Sequence, residues 1–321
     1  MRLGFLGVGW IGRQRMAAML ATGAVTADCF CDPDEANAAE AAAAAAGAVR
    51  VAGLDAMLER GVDGVVIATP SALHAEQAIH ALEAGAAVFC QKPLGRTARE
   101  AAAAVVAARR GDRLLGLDLS YRNTAAVAAL RDALPALGPV HAVDLVFHNA
   151  YGPDKPWFYD PLLAGGGCVI DLGVHLIDLA LWLLGWPEIV EVHSRLLAKG
   201  GIVDAGQVED YAVATLTTAA GAVLRLACSW HLPAGCEAEI GARFYGAAGG
   251  AGVHNIGGSF YDFRAERYSG TTTIAIAEPP DAWGGRAAAE WARRLAAGDR
   301  FDPAAERFVE VARVLDRIYG R

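Results

Sequence analysis

Short apolar runs alternate with Ala-rich stretches of helical spacing over the first 120 residues. The apolar runs are 3–6, 25–31, 65–69, 86–90 and 114–119, and the helical stretches lie near 11–22, 34–46, 72–84 and 97–110. Apolar strands separated by helices predict β-α-β units, a parallel sheet covered by helices. The six alanines at 41–46 make good helix and carry no other message. After Tyr121 the pattern changes. A helical stretch at 124–134 ends near Pro135, and 140–149 alternates polar and apolar residues as one long strand. A loop rich in Pro, Gly and aromatics (150–167) leads to an amphipathic helix near 170–184. Strands are predicted at 189–198, 208–218, 222–231 and 237–245, with shorter ones to about 277; turns such as Ala219-Ala220-Gly221 imply antiparallel pairing. Helices near 284–297 and 303–319 close the chain, the last with Asp302 as N-cap and Pro303 at its first position.

Composition narrows the class. At 321 residues the chain suits two domains, divided here into 1–120 and 121–321. Hydrophobic residues make up 54% and charged residues 20%, which excludes disorder. A net charge of −8 argues against nucleic acid or an anionic membrane as the main partner. No signal peptide is expected from Met1–Gly7, and no transmembrane helix, since the most apolar segment, 176–186, is short and interrupted by Asp178. Six cysteines form no CxxC pair. Cys29 and Cys31 share a strand face, where a metal or disulfide is the sharper alternative and small buried thiols in a reducing cytosol the plainer one. A cytoplasmic protein without a metal is therefore expected.

Gly7-Val8-Gly9-Trp10-Ile11-Gly12 directly follows the first strand and opens a helix. Gly7 permits the tight turn, Gly9 lets main chain approach a pyrophosphate, and Gly12 lets helix and strand pack closely. The phosphates would rest on the N–H groups of the helix start, including Trp10 and Ile11. Asp32 lies twenty residues past Gly12 at the end of the second apolar run, where a carboxylate accepts from ribose hydroxyls. That carboxylate repels a 2′-phosphate, and Pro33-Asp34-Glu35-Ala36-Asn37 brings two more acids and no basic residue. NAD is favoured over NADP. An ordinary strand-turn-helix with a capping Asp is the plain alternative.

Two further segments carry chemistry. Gln91-Lys92-Pro93 follows the 86–90 strand at the end where open α/β sheets bind ligands. Gly165-Gly166-Gly167 leads into a helix where Asp171 and His175, four apart, share a face that Asp178 and Trp182 continue; Leu172, Leu176, Leu179 and Leu183 form the core stripe. Alone, the lysine would be a surface charge and the Asp/His pair a helix start with a structural histidine. In order and spacing, the set Gly-x-Gly-x-x-Gly, Ala68-Thr69-Pro70-Ser71-x-x-His74, Lys92-Pro93 and Asp171-x-x-x-His175 resembles the glucose-fructose oxidoreductase / inositol dehydrogenase / MocA family.

The resemblance implies an α/β fold: an N-terminal Rossmann doubly wound parallel sheet, and a C-terminal α/β domain on a large, mostly antiparallel sheet. It implies that Gly7, Gly9 and Gly12 hold the dinucleotide phosphates and Asp32 the adenosine ribose. Thr69, Pro70, Ser71 and His74 would flank the nicotinamide half, with Gln91 among the cofactor-binding positions. Lys92 is similar to the family's catalytic lysine, and Asp171 and His175 would complete the substrate site. The family commonly has Glu before Lys-Pro; neutral Gln91 withdraws that support from the ammonium, a tuning of rate rather than a loss of function.

This set suits hydride transfer between nicotinamide and a secondary alcohol or ketone of a sugar, polyol or cyclitol. His175 can take the hydroxyl proton, Asp171 can bind a hydroxyl or orient the imidazole, and Lys92 can stabilise the oxyanion or relay the proton. Further substrate candidates are Tyr121 and Asn123, and Tyr151, Lys155 and Trp157 of the aromatic loop, which could equally be a packed surface loop or subunit contact. Trp230 and His231 rank below these. An exposed sheet face over 189–245 suggests a homodimer or homotetramer. A non-redox NAD-dependent glycosidase or lyase, or a nucleotide- or sugar-sensing regulator, is the alternative. Of 28 basic residues only Lys92, Lys155 and Lys199 are lysines. Where Arg fills the ordinary positions, a retained Lys marks a place where guanidinium, which cannot release its proton near neutral pH, will not serve.

Overall fold

A computed structural model describes residues 1–204 and 206–321. The chain divides into two compact units, Met1–Ser120 with Gly284–Ala312 and Tyr121–Trp283 with Arg313–Arg321. The first unit holds β1 (Arg2–Leu6), α1 (Trp10–Leu20), β2 (Thr26–Cys31), α2 (Glu35–Ala44), β3 (Val49–Arg50), α3 (Leu54–Glu59), β4 (Gly64–Ile67), α4 (Ser71–Glu83), β5 (Ala87–Cys90), α5 (Ala98–Gly111) and β6 (Leu115–Leu117). Its strands are parallel in the order β3-β2-β1-β4-β5-β6, the doubly wound arrangement of a Rossmann sheet. The central strands β4 and β5 are buried on both sheet faces and carry no polar side chain. Val65, Ile67, Val88 and Cys90 pack into one core, while Val66, Ala87 and Phe89 pack into another. The short β3 and α3 are additions to the pattern read from sequence.

The second unit starts with α6 (Ala125–Ala133) and β7 (Val140–Asn149), followed by a short helix α7 (Pro161–Ala164) and a helix α8 (Val174–Leu183) that continues a π-helical turn at Val169–Gly173. Strands β8 (Ile189–Ala198), β9 (Gly201–Ile202), β10 (Tyr211–Thr218), β11 (Val223–Ser229), β12 (Ala238–Gly246), β13 (Gly249–Asn255), β14 (Phe263–Ser269) and β15 (Thr272–Ala277) complete it. They form a nine-stranded sheet, antiparallel except where β11 pairs with β7. Helix α8 packs on β7, whose Val143, Leu145 and Phe147 are buried. It is not amphipathic as expected: every residue from Val174 to Leu181 is buried, Asp178 included. The span Pro161–Leu183 is long and apolar enough to cross a membrane by length and composition, yet most of it is buried inside this unit as a core helix.

Residues 284–312, expected with the second domain, belong to the first unit instead. They carry α9 (Arg286–Ala296) and the first half of α10 (Glu306–Tyr319). The reason is packing. Trp291 meets Phe89 with ring centroids 5.7 Å apart, and Ala288, Ala292 and Leu295 join the same core as Leu3 and Phe5. Glycine at 64 and 116 makes room, since a Cβ there would press on the Trp291 ring at 2.9 and 2.6 Å. Asp302 caps the Pro303–Ala305 turn by accepting from Ala304 N at 2.9 Å, as its sequence predicts.

Candidate active site

In the first unit the glycine turn is built as its spacing requires. Gly7 has φ +84°, and a Cβ on it would meet the Ala68 carbonyl oxygen at 2.6 Å. A Cβ on Gly12 would collide with the Gly7 carbonyl oxygen. Gly9, in contrast, has only Asn37 Nδ2 within reach, at 4.0 Å, so main chain is approachable there. Helix α1 begins at Gly9 with no side-chain cap, which leaves its first N–H groups available to an anion. Trp10 is exposed and Ile11 half-buried in that first turn. These features fit a dinucleotide pyrophosphate.

Asp32 is buried and already employed. Its Oδ2 accepts from Val8 N at 2.8 Å and its Oδ1 from Asp34 N at 2.9 Å. The carboxylate thus fixes the glycine turn as well as offering its remaining lone pairs to hydroxyls. The fold also brings arginines that the 33–37 segment lacks. Arg50, from β3, donates to the Asp32 carbonyl at 2.9 Å and to Glu35 Oε2 at 2.7 Å. Arg13, from α1, donates to Asn37 Oδ1 at 2.9 Å and pairs with Glu40 at 2.5 Å.

Thr69 and Pro70 follow β4, and Ser71, buried, starts α4. Thr69 Oγ1 donates to Gln77 Oε1 at 2.6 Å. His74 is buried with Nδ1 2.7 Å from the Pro93 carbonyl and Nε2 2.7 Å from the Thr69 carbonyl. Each ring nitrogen therefore faces a main-chain carbonyl, to one of which the neutral ring donates, and His74 lies between the Thr69-Pro70 turn and the Lys92-Pro93 turn instead of facing outward as a cofactor contact. Burial pushes its imidazolium below the ordinary range, against the pull of the two carbonyls, with Lys92 nearby adding to the downward shift. The Lys92–Pro93 peptide is cis, and Gln91 beside it is buried, its amide turned onto Asp118.

In the second unit Asp171 lies within the π-helical turn and His175 in the first turn of α8. The turn is gripped from outside. Glu209 Oε2 accepts from Gly167 N and Oε1 from Val169 N, both at 2.9 Å; Tyr319 Oη donates to Glu209 Oε1 at 2.8 Å and accepts from Ile170 N at 3.1 Å. Trp230 Nε1 donates to Asp171 Oδ2 at 3.1 Å. Tyr121 lies 4.8 Å from the His175 ring, centroid to centroid, and is wrapped by Phe147, Phe263 and Trp283. Burial, with the Asp171 charge adding to it, holds the Tyr121 phenol well above its ordinary range, so it stays an O–H. Asn123 ends the same 3-10 turn as Tyr121.

Asp178 does not extend the Asp171/His175 set. It is buried and takes a two-pronged bond from Arg122, whose Nε lies 2.6 Å from Oδ2. The Arg122 guanidinium in turn lies over the Trp182 and Trp186 rings at 5.3 and 5.4 Å. The aromatic loop divides. Trp157 stacks on Phe158 at 3.8 Å, and Phe158 and Tyr159 set their edges against Trp230, at 6.4 and 5.7 Å. Tyr159 Oη donates to the Pro153 carbonyl at 3.0 Å and lies 3.3 Å from His231 Nε2. Tyr151 and Lys155 remain on the surface, Lys155 beside Asp154 at 3.4 Å. Trp230 and Tyr159 are thus the site residues that sequence undervalued. The signal for Trp230 was its place at the end of a long strand, and that for Tyr159 the aromatic loop to which it belongs. The cysteine side chains are free thiols, and burial pushes that of Cys29 up to about 11.

A doubly wound sheet, an uncapped glycine turn with an acid at the next strand end, and a second unit on a large mixed sheet define an NAD-binding oxidoreductase of two-domain type. Residues 1–119 match the oxidoreductase family with NAD-binding Rossmann fold, and 128–251 match the GFO/IDH/MocA C-terminal domain. The chain belongs to the GFO/IDH/MocA family. It is 34% identical over 212 residues to 1,5-anhydro-D-fructose reductase of Ensifer adhaerens, covering 63% of each chain. Inositol 2-dehydrogenase of Rhizobium meliloti (strain 1021) is 29% identical over 256 residues, 79% of this chain and 76% of that one. The match thus spans less than two thirds of the reductase's length. Over its whole length the chain superposes on GenD2 from gentamicin A biosynthesis, a structure in complex with NAD, with TM-score 0.83 and 26% identity across 93% of that chain.

Proposed function

We propose that this protein transfers a hydride between NAD and a secondary alcohol or ketone of a sugar, polyol or cyclitol. The observation that carries this reading is the acid–base pair on one clamped helix. Asp171 is held by Trp230, and His175 lies under Tyr121 on the buried α8. The first unit serves as the cofactor half and the second as the substrate half. Gly7, Gly9, Gly12 and the first N–H groups of α1 hold the pyrophosphate, and Asp32 the adenosine ribose. NAD, when bound, supplies the hydride acceptor.

The chain's own residues handle the proton and the charge. His175 takes the hydroxyl proton as the carbonyl forms and returns it in reduction. Asp171, oriented by Trp230, accepts from a substrate hydroxyl or steadies the imidazole. Lys92, in the cofactor half, supplies a cation of the kind that stabilises negative charge developing on oxygen. Trp157 and Tyr159 offer apolar faces to a sugar ring. The homologues named for sugar and cyclitol oxidoreduction support this substrate class.

The test is a panel of inositols, polyols and aldoses with NAD, followed by the absorbance of reduced nicotinamide. Turnover is expected with at least one, and Lys92→Ala and His175→Gln are each expected to lower kcat about 100-fold or more. Full activity in Lys92→Ala, or no turnover with any member, refutes the reading. NAD is taken to be preferred over NADP because the Asp32 carboxylate disfavours a second phosphate. Thiols without a disulfide among the described residues support a cytoplasmic setting. Val213, Val223 and Ile274 are exposed on the nine-stranded sheet and support a homodimer or homotetramer formed through it, read by light scattering.

A further inference from the structure

Gln91, Asp118 and Arg15 form a buried set in the first unit that the chemistry above does not use. Gln91 Nε2 and Arg15 Nε both donate to Asp118 Oδ2 at 2.5 Å. The three residues are 8%, 1% and 7% exposed. Main chain is fixed at the same place: Gln91 N donates to the Ile67 carbonyl and Asp118 N to the Cys90 carbonyl, both at 2.9 Å. One carboxylate therefore joins three elements. They are α1, which opens at the glycine turn, the end of β5 that leads into Lys92, and the end of β6.

A carboxylate can only accept. Arg15 supplies one donor and the Gln91 amide the other. A carboxylate at 91 would set two negative charges at hydrogen-bond distance in a buried place, and one would have to take up a proton. Glutamine is the side chain of the same length that Asp118 selects. The negative charge that Glu would bring beside Lys92 is thus present, one strand over, and already neutralised by Arg15.

We propose that Asp118 is a positioning residue for the Lys92 segment, and that residues 91 and 118 form an exchangeable amide–acid pair. Asp118, anchored by Arg15, fixes the Gln91 side chain and with it the main chain that carries Lys92. Packing alone would accept asparagine at position 118, since its shape is the same. Positioning would not, because a neutral amide lacks the charge on which Gln91 and Arg15 converge.

The effect is read on hydride transfer and so rests on the activity proposed above. Four proteins are compared: wild type, Gln91→Glu, Asp118→Asn and the double variant. Each single change is expected to lower kcat about 10-fold, since small displacements of a catalytic group are costly, with KM for NAD within roughly 2-fold. The double variant is expected to return kcat to within about 3-fold of wild type. In it the carboxylate at position 91 accepts from the amide at position 118 and regains Arg15 as counter-charge. Wild-type kcat in Asp118→Asn, or a double variant no faster than the slower single one, overturns the proposal. If wild type turns over no alcohol, the dehydrogenase reading fails by itself, and the pair is judged on thermal midpoint and NADH fluorescence. Recovery of both in the double variant supports the exchange; no recovery overturns it.

Discussion

Trp230 and Asp171 are 59 residues apart in sequence and joined by one hydrogen bond, indole Nε1 to carboxylate Oδ2 at 3.1 Å. The bond fixes how the carboxylate is turned. It also links the helix that carries His175 to the strand end on which Phe158 and Tyr159 lean. Trp230→Phe keeps most of the ring packing and removes the donor. A hydrogen bond to a charged group contributes about 1.5–3 kcal/mol, so kcat/KM is expected to fall roughly 10- to 100-fold. Steady-state kinetics with an accepted alcohol measure it, and an unchanged kcat/KM would deny Trp230 its role.

Arg50 is held between the Asp32 carbonyl and the exposed Glu35 carboxylate. Freed from Glu35, its guanidinium can turn toward a 2′-phosphate. Exposed ion pairs contribute little, so Glu35→Gln is expected to shift the NADP-to-NAD ratio of kcat/KM by only about 2- to 5-fold toward NADP. A ratio equal to wild type would show that Arg50 has no part in cofactor choice.

Arg122 and Asp178 make a partly desolvated pair in the second unit, with Asp178 1% exposed. Burial pushes the Asp178 carboxyl above the ordinary carboxylate range, and Arg122 pulls it back. Arg122→Met leaves that carboxylate buried without its cation, at a cost of about 3–5 kcal/mol. The double change Arg122→Met/Asp178→Leu is expected to be milder than the single one. Urea midpoints followed by tryptophan fluorescence rank them; a double variant less stable than Arg122→Met contradicts the account.

His74 sets a pH dependence of stability. Burial lowers its pKa in the folded protein below the ordinary value of 6.5. The unfolded chain therefore takes up the proton first as pH falls. The neutral ring's contribution is complete above about pH 6.5 and is lost as pH drops from there toward the folded value. His148 and His254 are shifted the same way by burial, so the comparison is made between wild type and His74→Gln. The variant is expected to show a shallower loss of denaturant midpoint between about pH 7 and 5. Equal slopes would remove His74 from the explanation.

The cofactor half was legible because its signals are local. A glycine turn, an acid at a strand end and short apolar runs alternating with helical stretches need no partner elsewhere to be recognised. Where elements are short, as in β3 with two residues and α3 with six, periodicity has too few positions to register. The site was half legible. Asp171 and His175 lie close in sequence, but Trp230, Glu209, Tyr319, Arg50 and Asp118 reach their targets only through tertiary pairing. His74 was recognised by its motif while its task was not, since nothing local says that both ring nitrogens meet carbonyl oxygens. Residues 284–312 read correctly as helix, yet the sheet that they cover is decided by Trp291 finding Phe89 and two glycines.

That last packing has a consequence for how the protein is made. The cofactor unit is interrupted: after Ser120 the chain builds another body before Gly284 brings Trp291 to the Rossmann sheet. Synthesis runs from the N-terminus, so the first unit waits for most of the second to emerge before one face of its core can close. A fragment ending at residue 120 would carry every glycine of the fingerprint and still present Phe89, Gly64 and Gly116 uncovered. The dinucleotide motif leaves the ribosome well before Trp291, and the fold that gives it meaning is sealed only once Trp291 has followed.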